Sequence, residues 1–516
     1  MPVSWLTFLL SATVTVLVAC WKFMTPPRLF PKNIPTIPFY VAFLNLLFDM
    51  SQDEIYDRYF KVPLRRYGAV KVWASGNWSV LVQKPELLME MFKDEDLYVK
   101  AGLNKRIPWT VLGHLVGDNI INAHGETWRS YTGIMKLGIH RRVLDVGLLH
   151  RINSRTVELL LDEQRRSPRE CVLVNPFLQR WAIACLGQSF LDIDFKVKRP
   201  YVFYIRAVTL IWCIAQTLEN PNTRINQLQT TIKRTIFKAP YFHFPILDYL
   251  PIPSRVRAFR IVQEFEELLF DLTRGRPKSK RSTEDHQLID LMERALKEGK
   301  WSERNFRDNL KIIFIAGHEN PQQIMNSALW ALGKHQDVQC RLRAEVLGSG
   351  IDYPMLDAVN DLPYLTAVCY EVLRLYPPLS QLINRQVKIG QDACLGGSIC
   401  IPGGTYVGWT AVGTQRDPET WGPTAAEFIP SRWGTQLDEI QATYRRRSSK
   451  GHFIAFNAGR RKCLGKEFAL VEMKLLLFEL VRSVEWDVDP RYSLKLTPVG
   501  NLNPGEAFSA LTTYSV

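Results

Sequence analysis

One cysteine near the C-terminal end of the chain lies in a setting suited to metal chemistry. Cys463 stands in a glycine-bearing turn, and an amphipathic helix is predicted directly behind it over 466–478. A sulfur at a helix N-terminus is favoured as thiolate, and Arg460, Arg461 and Lys462 add positive charge beside it. Backbone N–H groups of the turn can donate to the sulfur and tune its electron donation to a metal. The alternative is a buried structural cysteine, the usual fate of a single Cys.

The neighbours of Cys463 describe the shape of the ligand. Gly459 and Gly465 let the backbone approach a flat group closely, and Arg461 can neutralise a carboxylate on it. A flat, carboxylate-bearing metal ligand is haem. Together with Phe456, these residues resemble the haem-binding signature of the cytochrome P450 superfamily, F-x-x-G-x-R-x-C-x-G, with every fixed position filled. The resemblance implies haem b, with Cys463 as the iron ligand and Phe456, Arg461 and Gly465 as cofactor-binding residues.

A long helix is predicted from Phe306 to Leu332, upstream of the cysteine turn. Pro321 cannot donate to the carbonyl of Gly317, so this helix is expected to open at Gly317. An opened helix with Glu319 and Asn320 facing a haem would give a groove for dioxygen and a relay for protons. The family has A-G-x-E/D-T here, which implies catalytic roles for Gly317, Glu319 and Asn320. Asn320 replaces the hydroxyl residue, and an amide does not readily pass a proton on.

Two further sets of residues are assigned by the same resemblance. Glu371 and Arg374, one helical turn apart, match the family's E-x-x-R helix, and Arg432 matches the second Arg of its buried network. A fully paired network of this kind would fix the cysteine loop rather than take part in chemistry. Trp128 and Arg385 match family residues that bind the haem propionates.

The N-terminal residues predict a membrane anchor. From Val3 to Trp21 the chain carries no charge and has about the twenty residues needed to cross a bilayer. A cleaved signal peptide is the competing interpretation, but no basic segment precedes the apolar run. We therefore divide the chain into a transmembrane anchor at 1–22, a proline-rich hinge at 23–38 and a haem-thiolate catalytic domain at 39–516. The cations that follow the anchor place the catalytic domain in the cytosol, and the resemblance implies single-pass anchoring in the endoplasmic reticulum membrane.

The body of the chain is predicted to be mainly α with a smaller β-rich subdomain, which the resemblance identifies as the cytochrome P450 fold with one N-terminal transmembrane helix. Alternating residues predict a hairpin at 69–82 and a second one at 399–407. Residues 238–251 are too apolar for a solvated loop and are either core or a contact with the bilayer. The 9 cysteines are scattered without zinc spacing, which is typical of a reduced, intracellular protein.

The charge of the chain bears on its partners. A formal net charge of +14 favours an anionic membrane, nucleic acid or an acidic protein partner. No nucleic-acid module surrounds the basic runs, so nucleic acid is not expected. No nucleotide-binding glycine loop occurs, so electrons must come from outside the chain. The resemblance implies NADPH acting through NADPH-cytochrome P450 reductase, with cytochrome b5 as a further candidate donor, beside the lipid bilayer and a small-molecule substrate.

The leading functional interpretation is a membrane-anchored haem-thiolate monooxygenase that oxidises a small hydrophobic or aromatic metabolite. The alternatives are an oxidative phenol-coupling oxidase, a peroxide-dependent haem-thiolate enzyme without reductase, and a non-enzymatic haem sensor. The stretch 316–321 looks similar to the fungal branch of the family that includes the dityrosine-forming enzymes of spore walls, which implies secondary metabolism and an aromatic substrate. Trp109 and Trp212 could stack on a planar substrate, although a core role fits each at least as well.

Overall fold

Helices make up most of the molecule. The computed structural model describes residues 3–48, 50–140, 144–166, 171–192, 217–236, 238–275, 287–489 and 509–512. In the first 300 residues the helices are α1 Val3–Met24, α2 Leu44–Leu47, α3 Gln52–Ile55, α4 Lys61–Tyr67, α5 Pro85–Lys93, α6 Leu103–Arg106, α7 Val111–Val116, α8 Gly125–Ile139, α9 Val146–Arg166, α10 Val174–Phe190, α11 Arg224–Ile236, α12 Ala239–His243, α13 Pro253–Arg274 and α14 Leu288–Lys297.

The second part of the chain continues the helical layer and ends in the cysteine turn. Its helices are α15 Glu303–Lys334, α16 Gln336–Gly348, α17 Leu356–Asn360, α18 Pro363–Leu375, α19 Ala411–Gln415, α20 Pro418–Trp421, α21 Leu437–Ser449 and α22 Lys466–Ser483. Short 3-10 turns lie at Phe39–Phe43, Pro245–Tyr249, Pro430–Trp433 and Gly459–Arg461, and a π turn lies at Tyr56–Phe60.

A five-stranded sheet lies beside the helices. The strands are β1 Ala69–Ala74, β2 Asn77–Val82, β3 Tyr98–Lys100, β4 Gln381–Val387, β5 Ala393–Leu395, β6 Ile399–Ile401, β7 Tyr406–Thr410, β8 Glu485–Val488 and β9 Ser509–Thr512. The large sheet has the order β1-β2-β7-β4-β3, while β5 pairs with β6 and β8 pairs with β9. The predicted fold class, mainly α with a smaller β-rich part, is confirmed.

The two predicted hairpins have different outcomes. Strands β1 and β2 pair antiparallel around Ser75 and Gly76, whose positive φ angles of 46° and 76° suit a tight turn, so the first hairpin is confirmed. The predicted hairpin at 399–407 is wrong. Strand β6 pairs with β5, and β7 enters the large sheet between β2 and β4. Residue alternation shows that a segment is a strand but not which strand it pairs with.

Helix α15 is the long helix that the sequence predicts, and it begins at a capping box between Ser302 and Asn305. The expected opening at Gly317 is wrong for the backbone, because the helix continues through Pro321 to Lys334. At Gly317 the helix packs tightly against α10. A Cβ at Gly317 would lie 2.5 Å from Leu186 Cδ1, so the two helices are already as close as a glycine allows.

The N-terminal helix α1 has 22 residues. Among the helices within the described ranges, none combines the length and the apolar character needed to cross a membrane. The predicted span at 1–22 is therefore not confirmed.

The proline-rich segment 23–38 lies against the body of the protein. Trp78 Nε1 donates to the carbonyl of Phe23 at 3.1 Å, and the Phe23 ring contacts Trp73 at 4.4 Å between centroids. Farther along, Lys71 Nζ donates to the carbonyl of Pro31 at 2.8 Å, and Thr36 forms a parallel bridge with Lys71. These contacts hold the segment along the edge strand β1.

Two cysteines are paired, contrary to the expectation of scattered, reduced thiols. Cys394 and Cys400 form a disulfide across strands β5 and β6, where they are directly opposite each other. Among the described cysteines outside this disulfide are Cys185, Cys340, Cys369 and Cys463. The pairing was missed because it depends on which strands pair, and the sequence reasoning assigned β6 to another hairpin.

Candidate haem site

The cysteine turn is closed by one backbone hydrogen bond. The N–H of Cys463 donates to the carbonyl of Phe456 at 2.8 Å, so the two ends of the loop lie next to each other. Gly459 has a φ angle of +67°, and a Cβ there would lie 3.2 Å from the carbonyl oxygen of Phe92, which makes a side chain unfavourable. Helix α22 starts three residues after Cys463, with Gly465 as its N-cap.

The thiol of Cys463 is exposed, yet dense surroundings raise its pKa above the ordinary value. The backbone N–H of Gly465 lowers this pKa in part. The expectation that Arg460, Arg461 and Lys462 help to hold the sulfur as thiolate stays a prediction for the metal-bound protein. Arg461 donates to the carbonyls of Ile120 and Ala123. A bound metal ion would supply the positive charge that a thiolate needs here.

Behind the loop, Glu371, Arg374 and Arg432 form a buried network. Arg374 binds Glu371 through Nε and Nη2, both at 2.8 Å, and Arg432 Nε binds Glu371 at 2.8 Å. Trp433 Nε1 and the N–H of Ile429 complete the carboxylate shell at 3.0 and 2.9 Å. The remaining Arg374 donors reach the carbonyls of residues 415, 425 and 427. The buried hydrogen-bonding groups of these three side chains therefore all have partners within the described residues.

Gln415 connects this network to the cysteine loop. Its Nε2 donates to the carbonyls of Leu373 and Arg374 at 3.1 and 2.9 Å, and its Oε1 accepts from the N–H of Ile454 at 2.8 Å. Gln415 is fully buried. One residue separates Ile454 from Phe456, whose carbonyl accepts the N–H of Cys463, so a continuous path of hydrogen bonds and backbone runs from the network to the cysteine.

A second set of buried cations lies toward the sheet. Lys100 and Arg385 face each other across strands β3 and β4, and the charges of Arg385 and Arg461 help to lower the pKa of Lys100, chiefly lowered by its burial. Arg385 donates from Nη1 to the carbonyl of Tyr98 at 3.1 Å. Arg461 lies 4.3 Å above the ring of Trp128. We call Lys100, Arg385, Arg461 and Trp128 the cation cradle.

The cation cradle has less negative charge than positive charge. Glu95 lies 3.4 Å from Arg461, and it is the carboxylate that acts on all three cations. Nε and Nη2 of the fully buried Arg385 have no hydrogen-bond partner within the described residues. Burial lowers the pKa values of Arg385 and Arg461 to about 10. Buried guanidinium groups with free donors fit a ligand that carries carboxylates, as the two haem propionates do.

On helix α15, Glu319 lies near a lysine from helix α11. Burial raises the pKa of Glu319, and the charge of Lys233 opposes this increase. Lys233 Nζ also donates to Gln322 Oε1 at 2.9 Å and to Gln179 Oε1 at 3.3 Å. A buried carboxyl with a raised pKa and a nearby cation can hold and release a proton.

The other residues of this stretch have their contacts inside the helix or toward its neighbours. Asn320 Nδ2 donates to the carbonyl of Ala316 at 3.0 Å, which supports the helix one turn before Pro321. His318 is fully buried, with Nδ1 at 2.5 Å from the carbonyl of Phe314, and burial lowers its pKa to about 3. Gly317 packs against α10, as described above. Its small size serves helix packing here.

Comparison with known proteins agrees with this geometry. The family model for cytochrome P450 matches residues 31–504, which is most of the 516-residue chain. The chain belongs to the cytochrome P450 family. Membership implies haem as the cofactor, and the cation cradle and the Cys463 turn fit that group.

Three relatives show where the chain stands within the cytochrome P450 family. It is 45% identical over 500 residues to the cytochrome P450 monooxygenase xanG of Aspergillus fumigatus, covering 95% of this chain and 88% of the relative. It is 36% identical over 494 residues to cytochrome P450-DIT2 of Saccharomyces cerevisiae, covering 95% of both. A plant relative, echinocystic acid 23-monooxygenase of Saponaria officinalis, is 26% identical over 461 residues, covering 86% and 81%. The chain is accordingly a cytochrome P450 monooxygenase, an oxidoreductase.

The segment 238–251, for which a core role and a contact with the bilayer were left open, is partly buried and partly exposed. Pro245 and Asp248 are buried, while Ile246, Tyr249 and Leu250 have 69%, 65% and 51% of their surfaces exposed. The segment thus packs on one side and presents apolar residues on the other.

The two tryptophans named as candidates for substrate stacking differ in what can be said of them. Trp109 donates from Nε1 to the carbonyl of Pro245 at 3.3 Å and stacks on Tyr249 at 5.5 Å. Its contacts are therefore with the segment 238–251. Trp212 lies outside the described residues.

Sequence reasoning missed three side chains of this region. Lys100 joins the cradle because β3 and β4 pair in one register, Lys233 meets Glu319 because α11 packs near α15, and Gln415 lies at the end of α19. No local motif marks any of them. The signal that could have found Lys100 is the register of β3 on β4, which places it opposite Arg385.

Proposed function

We propose that this protein is a membrane-anchored haem-thiolate monooxygenase that oxidises a small aromatic metabolite in fungal secondary metabolism, with Cys463 as the iron ligand. The observation that carries the proposal is the exposed Cys463 thiol in its glycine turn beside a buried cradle of cations with free donors. A haem needs both, since its iron takes a thiolate and its propionates take guanidinium or ammonium groups.

Each residue set has a defined task in this proposal. Arg385, Lys100 and Arg461 hold the propionates with Trp128 supporting Arg461, and Phe456 and Gly465 line the haem beside the thiol. Glu371, Arg374 and Arg432 fix the loop through Gln415 and do not meet the substrate. Bound haem supplies the oxygen-activating chemistry of the family.

Protons for the reaction are assigned to Glu319. Its buried carboxyl can take a proton from the side of Lys233 and release it toward the substrate side of α15, because its pKa is raised by burial. Gly317 and Asn320 shape the same stretch of the helix, and Asn320 holds the helix carbonyl of Ala316.

Electrons are proposed to come from NADPH through NADPH-cytochrome P450 reductase, with cytochrome b5 as a second donor. Arg460 and Lys462 are exposed on the cysteine turn, and α21 carries the exposed Arg446 in its last turn. Exposed cations on the cysteine turn suit docking of an acidic protein face, and such contacts weaken with salt.

Attachment to the endoplasmic reticulum membrane is proposed to use two parts of the chain. Helix α1 exposes large apolar side chains, among them Phe8, Leu9 and Trp21, at 66%, 60% and 68%. The segment 238–251 exposes Ile246 and Tyr249. Exposed apolar residues of this kind favour lipid contact. Removing residues 1–22 should release the protein from carbonate-resistant insertion, and unchanged resistance would contradict the anchor.

The test of the proposed iron ligand is Cys463→Ser. The wild-type protein, reduced and treated with carbon monoxide, should show the strongly red-shifted Soret band of thiolate ligation, and the variant should lose it. Cys369→Ser, at a buried cysteine away from the turn, is the matched control and should keep the band. Retention of the band in Cys463→Ser would overturn the assignment.

The substrate is tested with reductase, NADPH and a panel of phenols, with products followed by mass. Products one oxygen heavier indicate hydroxylation. Dimers two hydrogens short of twice the monomer indicate phenol coupling, a second candidate outcome with which Asn320 in place of a hydroxyl residue is compatible. Turnover of aliphatic substrates alone would reject the aromatic assignment, and turnover with peroxide but not with reductase would select the peroxide-dependent alternative.

A further inference from the structure

His140, the residue that follows the last residue of α8, contacts the cysteine turn from outside. Its Nε2 lies 3.1 Å from the carbonyl oxygen of Leu464, which is the residue directly after Cys463. A carbonyl oxygen can only accept a hydrogen bond, so Nε2 of His140 carries a proton and donates it. The two residues are 324 positions apart in the chain, and the fold alone brings them together.

Helix α8 fixes the position of His140. The backbone N–H of His140 donates to the carbonyl of Lys136 at 3.0 Å and closes the last turn of the helix. Two residues earlier, Gly138 packs against α14, where a Cβ would lie 2.6 Å from Leu288 Cα. The end of α8 is therefore held by its own backbone and by a neighbouring helix, although the imidazole itself is on the exposed surface.

The carbonyl that His140 contacts belongs to the peptide group between Leu464 and Gly465. A peptide group is planar and trans, so its C=O and its N–H point in opposite directions. The N–H of this group acts on the sulfur of Cys463, because it lowers the pKa of the thiol, and a Cβ at Gly465 would lie 4.0 Å from Sγ. The imidazole and the sulfur thus act on opposite ends of one peptide group.

Helix α22 leaves this carbonyl to His140. The carbonyl of Gly465 accepts from the N–H of Ala469 at 2.9 Å and is the first that the helix uses. Leu464 stands one residue earlier, and among the described residues its carbonyl accepts from His140. The peptide group next to the sulfur is therefore polarised by a side chain from another helix.

Hydrogen bonds in series polarise one another. A donor on the carbonyl oxygen withdraws electron density from the peptide group and strengthens donation by its N–H, by roughly 10–30% per bond. A stronger N–H donor takes up more of the charge of a thiolate, so the sulfur gives less electron density to a metal ion. A side chain that does not contact the sulfur can in this way change its strength as a ligand.

We propose that His140 is a positioning residue that raises the reduction potential of the haem iron through the peptide group of Leu464 and Gly465, by strengthening the donation of its N–H to Cys463. This inference rests on the proposed function, in which Cys463 is the iron ligand. Weaker electron donation from the sulfur favours the ferrous over the ferric state of the iron. His140 therefore makes it easier for a partner reductase to deliver the first electron.

The experiment is a redox titration of the full-length, substrate-free holoprotein, followed by the absorbance of the haem. His140→Leu removes the donor and keeps a side chain of similar size. The equilibrium constant for reduction should fall about threefold, because the hydrogen bond to the sulfur becomes weaker. For one electron this is a potential lower by about 30 mV, at about 59 mV per tenfold change. An unchanged potential in His140→Leu would overturn the proposal.

Two amide variants separate the donor from the bulk of the ring. The amide nitrogen of glutamine reaches about as far as Nε2 of histidine, whereas that of asparagine reaches only as far as Nδ1. His140→Gln should therefore keep the wild-type potential, and His140→Asn should have the lowered potential of His140→Leu. If His140→Leu does not take up haem, this pair of variants replaces it. Equal potentials in the two amide variants would reject a role for the donor.

Lys136→Met, one turn earlier on α8, is the control for surface charge. Lys136 is exposed, and a charge at such a position acts through solvent, where salt screens it. At about 0.5 M salt, Lys136→Met should have the wild-type potential, while the potential of His140→Leu should stay lowered, since a hydrogen bond is not screened in this way. If salt removed the effect of His140→Leu, that effect would come from surface charge, and the proposal would be wrong.

A second measurement reports the sulfur rather than the overall potential. In the reduced carbon monoxide complex, a stronger sulfur donor sends more electron density to the carbon monoxide, so its C–O stretching frequency falls. The infrared band should move to lower frequency in His140→Leu and His140→Asn and stay in place in His140→Gln. A lowered potential in His140→Leu without a shift of this band would overturn the route through the sulfur.

The two proposals fail separately. If the reduced wild-type protein with carbon monoxide lacked the red-shifted Soret band, Cys463 would not be the iron ligand, and the proposed function would be rejected. If the wild-type protein and all three His140 variants showed the band and had equal potentials, only the role of His140 would be rejected.

Discussion

The two charged regions around Cys463 are built in opposite ways. In the network of Glu371, Arg374 and Arg432, each guanidinium finds a carboxylate or a carbonyl within the protein. In the cation cradle, Arg385 is equally buried but keeps two nitrogens without a partner within the described residues. The first region is complete as folded, and the second is complete only with a ligand.

This difference gives a rule for assigning roles to buried charges in this molecule. A buried charge that is satisfied internally stabilises the fold, because removing its partner exposes the full cost of desolvation. A buried charge with free donors costs stability until an anion binds, so it identifies a binding site. The predictions below test that rule.

The largest effect is expected for Glu371→Ala. The variant leaves Arg374 as an uncompensated buried charge, which should cost about 3–5 kcal/mol of unfolding free energy. That loss is a large share of the stability of a domain. The protein should accumulate without haem, as measured by the haem-to-protein ratio and by denaturant unfolding. Glu467→Ala, on an exposed side chain of α22, is the control. Full haem occupancy in Glu371→Ala would contradict the network's structural role.

Arg385→Leu should weaken haem binding without destabilising the haem-free protein. The haem-free protein should be as stable as wild type or more stable, because the variant removes a buried charge that lacks partners for two of its nitrogens. Haem should bind about 1.5–3 kcal/mol more weakly, the range for hydrogen bonds to charged groups, and transfer faster to an apo-globin acceptor. Arg385→Lys should lie between the two. If Arg385→Leu destabilised the haem-free protein as much as Glu371→Ala, the distinction between the regions would fail.

Lys233→Met tests the pair of Lys233 and Glu319, for which an effect of intermediate size is expected. Burial raises the pKa of Glu319 and Lys233 lowers it, so the variant should raise this pKa further. Turnover that needs ionised Glu319 is lost as the pH falls through that pKa, and the acidic limb of the pH–rate profile should therefore move to higher pH. Lys238→Met, at an exposed lysine, should leave the limb in place. If the acidic limb of the pH–rate profile stayed in place or moved to lower pH, Lys233 and Glu319 would have no role in proton transfer during turnover.

The smallest effect is expected for Asn320→Ala. The hydrogen bond from the side-chain amide to the carbonyl of Ala316 is lost, but alanine favours the helix. The free energy of unfolding should therefore change by no more than about 1 kcal/mol. Turnover should persist if Asn320 serves the helix. Asn320→Thr restores the family's hydroxyl and should increase hydroxylated over coupled product. Abolished turnover in Asn320→Ala with intact haem would instead make Asn320 a catalytic residue.

The sequence predicted the parts of this molecule that depend on local order. The cysteine turn, the 32-residue helix α15 and the first hairpin each follow from residues that are close in the chain. The Glu371–Arg374 pair is also local, since its members are three positions apart on one helix. Local physics, together with the resemblance to a known family, was sufficient for these.

The errors concern contacts between distant segments. The disulfide Cys394–Cys400 depended on choosing the strand partner of β6. Helix α15 packs against Leu186 of another helix at Gly317, where the sequence predicted an opening, and it continues through Pro321. Residue spacing does not encode which distant segments pack together.

The ring of Phe23, at the end of α1, has a mechanical consequence. It contacts Trp73 of the hairpin and stacks on Phe244 of the segment 238–251 at 5.9 Å, while Trp78 holds its carbonyl. The direction of the N-terminal helix and the position of the segment 238–251 are therefore coupled through this ring. A chimaera in which an unrelated helix replaces α1 would change the angle between the N-terminal helix and the body of the protein. Removal of residues 1–22 would leave the Phe23 ring in place but remove most of the helix attached to it.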